Sequence, residues 1–144
     1  MILVDTNIVS EPLRPAPEPR VTAWIDAQPL ETLYLSAITV AELRFGVASL
    51  PPGRRRTLLE EDIERRILPL FAGRVLPFDL PASQAYAVLM AEARRNGVAV
   101  SASDGYIAAT AAAGGMAVAT RDSTPFEAAG LRVIDPWNDG SAPR

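Results

Sequence analysis

Histidine, cysteine and lysine are all missing from this chain of 144 residues, and every one of its 14 basic residues is arginine. Each absence removes a class of chemistry. Without histidine there is no Ser-His-Asp triad and no paired-histidine acid–base ribonuclease site. Without histidine or cysteine there is no conventional structural zinc site and no iron–sulfur cluster. Without lysine there is no P-loop lysine and no Schiff base. Positive charge is also short: 14 cations against 17 acids give a net charge of −3 and a pI of about 5.0. That is not the basic footprint of a general nucleic-acid binder, although two divalent ions would bring −3 to +1. No long apolar run exists either. The longest weakly apolar stretch, residues 107–119, is broken by Thr110 and Gly114-Gly115 and is too short to span a bilayer. Met1 runs directly into an apolar segment with no basic region before it, so no signal peptide is expected. Together with the lack of cysteine, this makes a cytoplasmic location the expectation.

What remains for chemistry is carboxylates, hydroxyls, arginine, backbone and a bound ion. Four carboxylates follow a short apolar run or lie inside one: Asp5 after Ile2-Leu3-Val4, Glu42 within Ala37–Leu43, Asp104 opening an alanine-rich segment, and Asp122 after Met116–Arg121. Acids brought to the edge of a core need compensation, and a hard divalent cation is the usual answer for all-oxygen ligands. Each acid also has an ordinary reading. Asp5 could be an N-cap, Asp104 could form a capping box with Ser101, and Asp122 could be a loop acid beside Arg121. Glu42 is hardest to dismiss, because it lies on an apolar stripe with Ile38, Ala41 and Phe45; Thr39 shares its face and could position a water.

Periodicity and punctuation give the expected elements. Strands are expected at 2–4, 33–35, 75–76, 116–119 and 131–134, with 98–100 short and extended. Helices are expected from Pro19 to about Gln28, from Ser36 to about Leu50, from about Arg54 to Leu70, from about Ala82 to Asn96 and from about Ser103 to Ala113. Trp24 and Ile25 should face inward. The Arg54 helix is read as amphipathic, with Leu58, Leu59, Ile63, Ile67 and Leu70 on one side. Strands alternating with helices argue for one α/β domain over residues 1–137, a parallel sheet covered on both faces, with residues 138–144 a disordered tail. In such a sheet, ligands bind at the carboxyl ends of the strands, and all four acids map to that edge. Arg54-Arg55-Arg56 at a helix start opposes the macrodipole and could be a phosphate-contacting patch or a solvated run.

The residues Ile2-Leu3-Val4-Asp5-Thr6-Asn7 with Ser10-Glu11, Ser36–Leu43 with Gly46, Asp104–Ala109, Ala119-Thr120-Arg121-Asp122 and the closing Val133–Trp137 occur in this order over nearly the whole chain. In this the chain resembles the PIN-domain family, above all the ribonuclease toxins of VapBC and FitAB type toxin–antitoxin operons. The resemblance implies a three-layer α/β/α sandwich and hydrolysis of RNA phosphodiesters with Mg²⁺ or Mn²⁺, one or two per site. It implies that Asp5, Glu42, Asp104 and Asp122 are the metal-binding catalytic acids, and that Thr6, Asn7, Thr39 and Thr120 orient them or position water. Arg54, Arg55, Arg56 and Arg121 become candidate RNA contacts. A homodimer and a cognate antitoxin are implied as partners, with the Pro19 and Arg54 helices as walls of the antitoxin groove. The chain departs from the family at Asp122, where Asn is usual, and at Pro125, where Asp is common before Phe126; the metal position that Asp122 serves is left open.

Two rival readings differ in class. A phosphatase or phosphoacceptor domain would use Asp5 as nucleophile or phosphoacceptor, but expects a second nearby Asp and a lysine. A catalytically inactive PIN-like module would hold RNA or protein with a dead site; retention of all four acids argues against it.

Overall fold

The computed structural model describes residues 1–139. Five short strands form one parallel sheet: β1 (Ile2–Val4), β2 (Leu33–Ser36), β3 (Val75–Leu76), β4 (Ala117–Ala119) and β5 (Val133–Ile134), in the order β3-β2-β1-β4-β5. Strand side chains alternate between faces, and the core divides accordingly. Val4, Leu33, Leu35 and Ala119 pack on one side with α1 (Thr6–Ser10), α2 (Pro19–Ala27) and α3 (Ala37–Ala48). Leu3 and Val118 pack on the other with α5 (Leu80–Arg95), α6 (Ala102–Ala113) and α7 (Ser123–Ala128). Helices therefore cover both faces, as the strand–helix alternation predicts. The order of connection reverses between β1 and β4, which opens a crevice beyond their carboxyl ends.

Local chemistry fixes the ends of the helices. Asp5, Ser36, Asp79 and Ser101 each cap the helix that follows, accepting from Thr6 N, Ile38 N, Ala82 N and Asp104 N respectively. Gly97 closes α5 at φ 70°, a conformation that favours glycine.

Several expectations are corrected. The buried stripe of α3 is Thr39, Val40, Leu43 and Val47, whereas Ala41 and Phe45 face outward, Phe45 at 72% exposure. This helix is apolar almost all round, so its period does not choose the inward face. The Arg54 helix is not continuous: α4 (Arg54–Glu61) passes into a π-helical turn over Asp62–Ile67 and a 3₁₀ turn over Leu68–Phe71. The five apolar residues do not share one side: Ile63 is buried, Leu59 and Ile67 are half-buried, and Leu58 and Leu70 are exposed. Trp24 is buried as expected, but Ile25 only partly. Residues 98–100 join no strand, and β5 is half the expected length. The six-residue α7 is too short to leave a periodic signal. The chain remains helical through α8 (Pro136–Asp139), so Asn138 and Asp139 do not belong to the expected disordered tail. The rest of that tail, 140–144, lies outside the described residues.

Candidate active site

Asp5 leaves β1 at the crevice and is only 5% exposed. Its Oδ1 accepts from Thr6 N at 2.8 Å and its Oδ2 from the Thr120 hydroxyl at 2.8 Å. Its own N–H donates to Ala119 O at 2.9 Å, locking it to the end of β4. Glu42 enters from α3, half-buried, and the Thr6 hydroxyl donates to its Oε1 at 2.7 Å. Thr39, fully buried one turn earlier, lies 3.4 Å from the same hydroxyl. A single residue, Thr6, thus touches both acids, through its backbone on one side and its side chain on the other.

Thr120 is the second junction. Besides donating to Asp5, its hydroxyl oxygen accepts from Asp122 N at 3.1 Å and from Asn7 Nδ2 at 3.4 Å. Asn7 Oδ1 accepts in turn from Arg121 N at 3.2 Å. The Asn7 amide therefore ties the start of α1 to the loop after β4, across the crevice. Asp122 occupies the N-cap position of α7, yet its carboxylate makes no capping bond and stays exposed. Asp104 sits in the first turn of α6, half-buried. Ser101 does the capping there, and its hydroxyl contact stabilises the Asp104 charge. The next residue, Gly105, has no room for a side chain: a Cβ would lie 2.7 Å from Met90 Sδ and 3.0 Å from Tyr86 Cε2.

Electrostatics link the four acids. Burial raises the Asp5 carboxyl from 3.8 to about 6, against its two hydrogen bonds, and repulsion from Asp104 and Glu42 adds to the rise. Burial also raises Asp104, opposed by Ser101, with Asp122 and Glu42 adding repulsion. Asp5, Glu42 and Asp104 are therefore close enough to feel one another's charge, and Asp122 acts on Asp104. Thr6, Asn7, Thr39 and Thr120 belong to the hydrogen-bond network around Asp5 and Glu42. None of the four acids is in an ion pair among the described residues; those pairs are Arg14–Glu11, Arg20–Glu18, Arg44–Glu64 and Arg66–Asp62.

The donor set is all oxygen, and its most buried member, Asp5, has no ion-paired cation among the described residues, which fits a hard divalent ion. Among the described residues, no three acids are gathered tightly enough to hold a metal by themselves.

The arginine candidates separate. Arg121 lies beside the acids in sequence and in the hydrogen-bond network. Arg54, Arg55 and Arg56 begin α4, where Arg56 lines a groove between α3 and α4 with Arg44, Val47, Ile63 and Glu64. None of the residues lining that groove belongs to α2. Ser103 is a site neighbour missed from sequence: its Oγ, adjacent to Asp104, is buried without a partner. Nothing in the sequence marks it, because a serine in a helical first turn ordinarily reaches solvent or backbone.

A PIN domain profile matches residues 2–131. Over 137 residues the chain is 61% identical to VapC ribonuclease Y4jK of Sinorhizobium fredii, covering 95% of this chain and 98% of that protein. Over 139 residues it is 55% identical to Toxin FitB of Neisseria gonorrhoeae, covering 96% and 100%. The crystal structure of FitAcB from Neisseria gonorrhoeae superposes with a TM-score of 0.93 at 55% identity, covering 96% of this chain and 99% of that one.

Proposed function

The chain belongs to the PIN-domain family, and from that premise we propose that it is a divalent-metal-dependent endoribonuclease acting as the toxin of a toxin–antitoxin pair. The ribonuclease and toxin names of its relatives support the class of activity. The observation that carries the site is Asp5: a buried carboxylate, raised to about 6, among three further acids and no ion-paired cation. A module with no use for a cation would gain stability by losing that charge, which weighs against the inactive-module reading.

Asp5, with Glu42, Asp104 and Asp122, would hold Mg²⁺ or Mn²⁺. When bound, such an ion lowers the pKa of water and offsets charge developing on the phosphate. The chain's own work is orientation and proton handling. Thr6 N–H and the Thr120 hydroxyl fix both oxygens of Asp5. The Thr6 hydroxyl holds Glu42 by Oε1, leaving Oε2 to accept a proton from an attacking water. Asn7 fixes the loop that carries Asp122. Of the arginines, Arg121 would meet RNA next to the acids, since it lies between Thr120 and Asp122.

The FitB chain was solved within FitAcB, which supports a cognate antitoxin for this chain. Exposed Phe45 and Leu58 on α3 and α4, with the groove between those helices, offer it apolar surface. Among the described residues no helix is long and apolar enough to cross a membrane. The testing experiment is RNA cleavage by the purified chain with Mn²⁺ or Mg²⁺, beside an EDTA control and Asp104→Asn. Metal-dependent cutting lost in both controls is expected. A folded Asp104→Asn protein that still cuts would sink the acid assignment.

A further inference from the structure

Substrate carries negative charge and must approach four acids, so something at their edge has to attract it. Arg14, Arg20, Arg44 and Arg66 are committed to ion pairs. Arg74 is spent on the carbonyls of Leu33 and Leu70. Arg121 is in no ion pair among the described residues, although Thr120 and Asp122 flank it. Both ends of this residue are nonetheless fixed. Its N–H donates to Asn7 Oδ1 at 3.2 Å, and its guanidinium lies over the Trp137 ring, with Cζ 5.1 Å from the centroid. Trp137 is itself immobilised. It is 7% exposed, its backbone N–H donates to Asp135 Oδ1 at 2.9 Å, and its helix α8 packs on α2.

A ring so buried, with Arg121 over it, cannot also stack a base. It can serve as a floor for the cation. Stacking engages the face of a guanidinium and leaves its in-plane N–H donors free, in the fork geometry that matches a phosphate. A flexible arginine loses rotamer entropy on binding, whereas one already held loses less. We propose that Trp137 is a positioning residue of the substrate site: it holds the Arg121 guanidinium at the edge of the carboxylate cluster, where it takes a phosphate of single-stranded RNA. The inference rests on the ribonuclease reading above.

The test uses the full chain. Binding of a fluorescein-labelled, mixed-sequence single-stranded RNA is followed by anisotropy over a salt series, in the Asp104→Asn background so that nothing is cut. Cleavage kinetics and melting are measured with Asp104 intact. Arg121→Gln is expected to raise Kd and KM about tenfold and to flatten the slope of log K against log salt by about 0.7, with kcat and Tm nearly unchanged. Arg121→Lys should keep the slope but lose affinity, because an ammonium is a point charge without the stacked fork. Trp137→Leu should weaken RNA binding as Arg121→Gln does. If that variant does not fold, Trp137→Phe keeps a smaller ring and should weaken binding about twofold to threefold. Unchanged Kd and slope in Arg121→Gln would overturn the proposal. So would Trp137 variants that melt lower but bind RNA as the parent does, since Trp137 would then be core packing only. A parent protein that binds RNA through Arg121 yet never cuts it would refute the ribonuclease reading while leaving the binding role standing.

Discussion

Asp5→Asn should stabilise the protein while abolishing its chemistry, and only above a certain pH. The folded Asp5 carboxyl titrates near 6 rather than 3.8. The folded state therefore holds this proton more tightly than the unfolded chain does. Below about pH 4 both states are protonated and Asp5 contributes no penalty. As pH rises toward 6 the unfolded chain releases its proton first, so stability falls; above about 6 the full cost remains. A gap of roughly two pKa units corresponds to about 3 kcal/mol. Asparagine removes the charge but cannot accept both bonds now made by Thr6 N and Thr120 Oγ1, a loss of about 1 kcal/mol. The net gain at pH 8 is then about 1–2 kcal/mol, or a Tm higher by roughly 3–6 °C for a chain of this size. At pH 4 the variant should be no more stable than the parent. The assay is thermal melting by circular dichroism across this pH range in EDTA. A Tm difference that is the same at pH 4 and pH 8, or an Asp5→Asn protein that melts lower at pH 8, would refute the account of Asp5 as an uncompensated buried charge.

The same melting assay should show Mn²⁺ or Mg²⁺ raising the Tm of the parent at pH 8 and having little effect on Asp5→Asn; equal shifts in both would place the ion elsewhere. Thr120→Val keeps the side chain's shape but strands Asp5 Oδ2 and Asp122 N, and should cost about 1–3 kcal/mol with a large fall in cleavage, read by urea unfolding and turnover. Gly105→Ala drives a Cβ toward Met90 and Tyr86; the clash outweighs the better helix propensity, so a loss of about 1 kcal/mol and weaker cleavage are expected, and unchanged activity would show that α5 yields without moving Asp104. Phe45→Ser with Leu58→Ser should weaken capture by the cognate antitoxin in a pull-down while leaving RNA cleavage intact, since neither residue touches the acids.

Much of this site could be read before any coordinates, because its acids sit where periodicity breaks. Asp5 and Asp122 follow strands, and Asp104 follows a capping serine, so strand ends and caps locate them. The orientation of α3 was not legible. Ile38, Val40, Ala41, Leu43, Phe45 and Val47 offer several apolar faces, and only the packing against β2 and the Ile63 region chooses among them. Glu42 reached the site all the same, because Thr6 and Thr39 supply its polar neighbours. The π turn was illegible for a different reason: one wide turn alters the phase of an amphipathic pattern without changing its composition. A tryptophan directly after a proline, as Trp137 is after Pro136, is more often a core plug than a base-stacking platform. The burial agrees with that, and only its distance to the Arg121 guanidinium gives it a second use.

The wide turn over Asp62–Ile67 also sets how this region tolerates changes in length. A wide turn takes up about one residue more than an α-helical turn of about 3.6, so deleting one residue here and restoring a regular helix would leave everything downstream close to its present phase. Phe71 would stay in the core, and a deletion after Glu64 would leave its grip on Arg44 intact, whose Nε and Nη2 it now holds at 2.7 and 3.1 Å. Single-residue deletions should therefore be better tolerated between 65 and 67 than in the regular turns of α3, where nothing absorbs the change of phase.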